Sequence, residues 1–199
     1  MSEPEDADAD GSPETSDVIV LDHLPHGRAD DDRPQYQKSP LAYGLGIDSF
    51  GLYELTLVAD SNVSIGDRVT IAPPDAADLI ERYRAIDYAD LSSNAQSELE
   101  YAVEAVIEAD EQRFVDFYND AQPITLRLHQ LNLLPGIGKK LRNNILDERK
   151  RKPFESFEEL TDRVSGLHRP EEVLVDRIME ELRDEDLKYK TFVRREEEH

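Results

Sequence analysis

The run Leu134-Pro135-Gly136-Ile137-Gly138-Lys139-Lys140 has the residue types and spacing to grip a phosphate. Glycine permits positive φ and close approach of a ligand to the backbone. A helix that starts just after Gly138 offers unpaired N–H groups and the positive end of its dipole to an anion. Ile137 would plug back between the flanking helices and hold the turn, and Lys139 and Lys140 would add charge beside the phosphate. With the bases that follow, the candidate nucleic-acid-binding set is Gly136, Ile137, Gly138, Lys139, Lys140, Arg142, Arg149 and Lys150. Pro123 to Pro153 carries eight bases against two acids, a charge of +6 inside a chain of -22.

Other chemistries fail on spacing. A phosphate loop of the Walker type needs four residues between its glycines and Ser or Thr after the Lys, and Gly136-Ile137-Gly138-Lys139 has neither. Gly-x-Ser-x-Gly, His-Glu-x-x-His and EF-hand patterns are absent, and the chain has no cysteine, which excludes disulfides and thiolate chemistry. His23 and His26 flank Pro25 beside Asp22, which reads as a strand-end turn rather than a metal pair. His129, next to the glycine turn, reads as a packing histidine or a phosphate contact. Carboxylates at helical spacing from Asn94 to Asp120, eight against the single base Arg113, read as a solvated helix face. The expectation is a protein that is not an enzyme, with no metal and no cofactor.

The elements that must position the turn follow from composition. Residues 1–17 carry acids and no base, and read as a disordered tail. Residues 18–90 hold short β-branched runs (Val18–Leu21, Tyr53–Val58, Val69–Ile71) between turn signals, which suggests a small OB-like closed barrel. Asp75–Tyr88 is open between a short helix and a last strand. Residues 91–122 read as a connecting acidic amphipathic helix, with Ser93 and Gln96 at capping-box spacing and Leu99, Ala102, Val103, Val106, Ile107, Phe114 and Phe117 on one face. In residues 123–185, Leu126, Leu131 and Leu134 read as one helix and Leu141 and Ile145 as the next, joined by the glycine turn. A further pair, Ser156–Val164 and Glu171–Leu182, brackets Gly166. Residues 186–199 remain as a tail. The fold class is therefore α+β.

Charge bounds the setting. With 45 acids against 23 bases among 199 residues, self-repulsion is severe in dilute buffer. At ~1 M salt the Debye length is about 3 Å, so the acidic excess reads as adaptation to a salt-rich cytoplasm. No apolar run approaches the ~18 residues of a membrane span, and no secretory signal is visible at the N-terminus, so a cytoplasmic address is expected.

The glycine turn resembles that of helix-hairpin-helix proteins, whose signature is apolar-Gly-apolar-Gly before a helix. Pro153-Phe154-Glu155-Ser156-Phe157-Glu158-Glu159-Leu160 resembles the opening of the second, paired hairpin in that family. Here the second hairpin keeps Gly166 but lacks the second glycine, so it reads as degenerate. A longer resemblance runs from about Val18 to Val193. It is carried by Val20-Leu21-Asp22-His23-Leu24-Pro25-His26-Gly27, Leu99 to Phe117, Ala121 to Leu131 and Lys188-Tyr189-Lys190. It is similar to the archaeal domain-of-unknown-function family 655, described as RNA- or nucleotide-binding. That resemblance implies an OB-like barrel joined to paired hairpins, genes lying near those for ribosome maturation and RNA polymerase components, and no catalytic residues. The resulting expectation is a non-catalytic protein that holds the RNA or DNA backbone, RNA before DNA, without reading sequence. Tyr36, Tyr43, Phe50 or Tyr53 of the barrel would add a stacking surface unless they belong to its core. The rival is an adaptor that docks on a ribosomal or transcription protein.

Overall fold

The computed structural model describes residues 15–194. Five strands, Ser16–Leu24 (β1), Leu41–Gly46 (β2), Leu52–Leu57 (β3), Arg68–Ala72 (β4) and Ile80–Ile86 (β5), form one antiparallel sheet in the order β4-β1-β2-β3-β5. The sheet curls into a half-barrel. It does not close as expected, because the edge strands β4 and β5 are not hydrogen-bonded to each other. Closure needs an apolar inner side on both edges. β5 leaves Glu81 to Ala85 largely exposed to solvent; Ile80 packs on the inner core, and the ring of Tyr83 meets Tyr53 edge-on with centroids 5.8 Å apart. This two-sided polarity also explains why β5 was ambiguous in sequence: no alternation marks it.

Each face of the sheet buries its own cluster. Val18, Val20, Ala42, Tyr53, Leu55, Leu57, Val69 and Ile71 fill the inside. Leu21, Tyr43, Leu45, Phe50 and Leu52 meet the helices on the other side. Leu21 meets the helices by strand alternation, as Ile19 does, and a bulge in β1 between Val20 and Asp22 brings Asp22 to the same side, opposite Tyr43. Tyr43, Phe50 and Tyr53 are thus core, which removes them from any stacking surface, while Tyr36 stays exposed. The acidic tail ends earlier than expected. β1 starts at Ser16, and Asp17 bonds Thr70 (2.7 Å) and pairs with Arg68 (2.7 Å). The rest of that tail, residues 1–14, lies outside the described residues.

The helices are Ser93–Ala109 (α1), Glu111–Asp120 (α2), Lys139–Arg151 (α3), Phe157–Arg163 (α4) and Pro170–Arg183 (α5). The cap of α1 is Ser92 rather than Ser93: its hydroxyl accepts from the Ala95 N–H (3.1 Å) and donates to the Asp22 carboxylate (2.6 Å). The single helix expected here breaks at Asp110, whose φ of -138° and ψ of 59° leave the helical region. The break redirects α2 so that the buried Tyr118 hydroxyl donates to the Pro170 carbonyl (2.8 Å) at the start of α5. α1 is a shared wall, since Leu99, Val103, Val106 and Ile107 belong to one core with the sheet residues and with Leu174, Ile178 and Leu182 of α5. Among the described residues no helix is long and apolar enough to cross a membrane.

Candidate functional site

The chain before the glycine turn is not the helix that the leucine spacing suggested. Gln130–Leu133 forms a short 3-10 helix, and Leu126 lies outside it, fully exposed. Residues 122–130 instead fold back as a finger. Pro123 and His129 bridge, the Ile124 N–H donates to the Leu128 carbonyl (2.7 Å), and the Gln130 N–H donates to the Gln122 carbonyl (3.0 Å). Leucine periodicity misled because Leu131 and Leu134 are buried by a tight turn rather than by a helix face.

A tight turn does form at Leu134–Ile137. The Ile137 N–H donates to the Leu134 carbonyl (3.2 Å), and Gly136 sits at φ +80°. That φ suits the third position of a tight turn and favours glycine. Ile137 is buried, and Gly136, Gly138, Lys139 and Lys140 are exposed. Gly138 differs from expectation: as the N-cap of α3 it has φ -85° and ψ -172°, extended backbone that any residue adopts. A Cβ on Gly136 or Gly138 would meet nothing within 4 Å. So Gly138 is not required by strain or by packing. What its missing side chain does is leave the end of α3 open.

The start of α3 has no side-chain cap and no acid in its first turn. α1 and α4 are capped by Ser92 and Ser156, and the first turns of α2 and α5 carry Glu111 and the pair Glu171 and Glu172. Among the described α-helices, α3 alone combines open N–H groups with lysines.

Three of the sequence-picked residues have distinct surroundings. Lys150 is exposed. By helical geometry it falls on the same face as Lys139, eleven residues earlier. Arg142 is half-buried and donates to Asn132 Oδ1 (3.1 Å). Arg149 is turned inward: its Nη1 donates to the Tyr118 (3.1 Å) and Ala121 (2.9 Å) carbonyls at the end of α2. The structure therefore gives Arg149 the task of satisfying orphan carbonyls, which fits a cation at a helix C-terminus.

The chain matches the family described as protein of unknown function (DUF655) over residues 14–194. The chain belongs to this DUF655 family. It is 38% identical over 176 residues to the uncharacterized protein MJ0038 of Methanocaldococcus jannaschii, covering 88% of this chain and 78% of that protein. It is also similar to the crystal structure of Af1531 from Archaeoglobus fulgidus, at 41% identity and a TM-score of 0.82, with 90% of this chain and 99% of that chain covered.

In this DUF655 chain, the residues that sequence reasoning missed are those that brace the turn. Asn132 Nδ2 donates to the Ile137 carbonyl (3.2 Å), while its Oδ1 accepts from the His129 N–H (3.3 Å) and from Arg142. His129 Nδ1 accepts from the Leu131 N–H (3.1 Å), so the ring caps the 3-10 helix. Burial, and then the charges of Arg149 and Arg142, hold His129 below the ordinary imidazole value of 6.5. Asn132 directly before Leu133-Leu134-Pro135-Gly136 was the available signal, and the sequence alone gives no cue to its partner. Asp22 is likewise committed, to Ser92 and to the His23 N–H (2.9 Å). Among the described residues no group of three His, Asp or Glu is placed to hold a metal ion.

Proposed function

We propose that this DUF655 chain binds the phosphate backbone of a nucleic acid at the Leu134–Lys140 turn, without catalysis and without sequence readout. The observation that supports it is the open N-terminus of α3: exposed N–H groups, no cap, no acid, two lysines and glycines that let a phosphate reach the backbone. The turn with its flanking elements reads as a helix-hairpin-helix whose first helix is shortened to a 3-10 turn. The second copy, at Val164–Leu167, is degenerate. The preference for RNA over DNA rests on the gene context that the family resemblance implies, since backbone contact does not distinguish the two.

The test is titration with unrelated RNA and DNA sequences. Lys139→Glu with Lys140→Glu should weaken binding to all of them alike. It should also lower the slope of log affinity against log salt by about 1 for each phosphate no longer neutralised. A chain that binds no nucleic acid, yet captures a protein after nuclease treatment, is the adaptor instead.

A further inference from the structure

We infer that the strand held at this turn is unpaired RNA, gripped along one backbone with a base laid against Leu126. The inference rests on the phosphate-binding reading above and adds two observations to it.

The first is the second turn. Val164-Ser165-Gly166-Leu167 repeats the geometry of Leu134-Pro135-Gly136-Ile137. The Leu167 N–H donates to the Val164 carbonyl (3.2 Å), Gly166 sits at φ +91°, and Leu167 is buried. The two turns lie together, for a Cβ on Gly166 would stand 3.7 Å from the Leu141 side chain of α3. Yet the helix after the second turn is closed to an anion. Glu171 and Glu172 occupy its first turn, and Arg169 is held on Glu172 by hydrogen bonds of 2.9 and 3.1 Å. A duplex offers two backbones to such a pair of turns, and this pair can take one.

The second is the finger of residues 122–130. Leu126 is the most exposed large apolar side chain among the described residues, and Arg127 beside it is exposed too. The tip is ordered: Thr125 Oγ1 accepts from the N–H groups of Arg127 (3.2 Å) and Leu128 (3.0 Å). Its base is bound to the turn through His129 and Asn132, which reaches the Ile137 carbonyl. Three residues of chain hold the Leu126 Cα within about 11 Å of that of His129. A rigid aliphatic tip with a cation beside it, mounted on the frame of a phosphate grip, suits a base face. In a duplex, apolar wedges, leucine included, enter base steps only at an unstacking cost of about a few kcal/mol per step, which an unpaired base largely avoids. In RNA, base faces are free where the strand is unpaired.

The experiment uses an RNA of about ten nucleotides with 2-aminopurine at its centre, single-stranded or annealed to its complement. Wild-type protein should bind the single strand at least about tenfold more tightly than the duplex, and 2-aminopurine fluorescence should rise as the base leaves its stack. Leu126→Ala, at a fully exposed position, should leave the circular dichroism unchanged. It should remove most of the fluorescence rise and cost about fivefold in affinity with no change in salt slope. Lys139→Glu with Lys140→Glu should lower both affinity and slope. Duplex bound as tightly as single strand, or Leu126→Ala without effect, overturns this inference while leaving the phosphate grip standing if the lysine variant still loses affinity. No binding to either RNA overturns both.

Discussion

Gly136 and Gly138 stand two residues apart and answer to different constraints. At φ +80° a side chain on Gly136 is strained by the backbone alone, so Gly136→Ala should cost about 1–2 kcal/mol. Gly138 at φ -85° faces open space, so Gly138→Ala should be close to neutral in urea unfolding. Under the proposed function both should weaken RNA binding, because each adds a methyl where the phosphate would approach. If Gly138→Ala binds as wild type does, the backbone of the turn does not touch the RNA. His129 yields a second expectation at this scale. Its pKa is lowered in the fold, so as pH falls the unfolded chain takes up the proton first. The stability carried by the neutral ring is complete above about pH 6.5 and is lost as pH falls from there through the lower folded value. An imidazole resonance of the folded protein titrating at or above the ordinary value would contradict this. The same sign requires His129→Gln to flatten stability against pH in that window.

Among the elements, the stretch after α5 is more than a tail. The Glu181 carboxylate, fully buried on α5, accepts from the N–H groups of Thr191 (2.8 Å), Phe192 (2.9 Å) and Val193 (2.9 Å) and from Arg177 Nε (3.0 Å). Arg177 also donates to the Tyr189 carbonyl, Phe192 packs on Phe117 with ring centroids 4.9 Å apart, and the Arg194 N–H reaches the Ser49 carbonyl of the β2–β3 turn (2.9 Å). The strap thus ties α5 and α2 to the sheet. Glu181→Gln keeps the shape but puts an amide donor among these N–H groups and leaves the buried Arg177 with the half-exposed Glu180 (3.2 Å) as its remaining charge partner. It should cost about 3–5 kcal/mol in denaturant unfolding. A loss under about 1 kcal/mol would mean that the strap is not held by this carboxylate. No residue of the strap announces this in sequence, because a buried Glu at i+4 from an Arg looks like any solvated helix pair. The legible elements were those with a local signal: α4 after Ser156, α5 after Pro170, and the two positive-φ glycines at Gly136 and Gly166. The break at Asp110 was hidden because the apolar period continues through it. The bracing by Asn132 and Arg149 was hidden because side-chain bonds to distant carbonyls leave no periodic trace.

The whole molecule carries -22, while Pro123 to Pro153 carries +6, so under the proposed function an RNA strand would be repelled by most of the surface and drawn to one part of it. That contrast is strongest in dilute buffer and fades as salt screens it. If the protein works in molar salt, what remains must be geometry. On a single strand each neutralised phosphate contributes a salt slope of about 0.7, so the share of affinity from two lysines falls about 25-fold between 0.1 and 1 M KCl. N–H groups fixed at the start of α3 carry no counterion to release and keep their share. The bases at the far end of α3 are also partly neutralised within the chain, Arg151 by Glu148 (3.2 Å) and Lys152 by Glu155 (3.2 Å). Arg151→Gln with Lys152→Gln should therefore weaken binding at low salt and change it less than about twofold at molar KCl. Gly138→Val, which the extended backbone accommodates and which fills the approach to the turn, should cost more than about tenfold at both salts with helix content unchanged. Titrating the three proteins with one RNA at both salt concentrations separates these outcomes. If the Arg151/Lys152 variant loses as much high-salt affinity as Gly138→Val, the turn is not the principal grip, and the RNA is held along the exposed flank of α3 by charge alone.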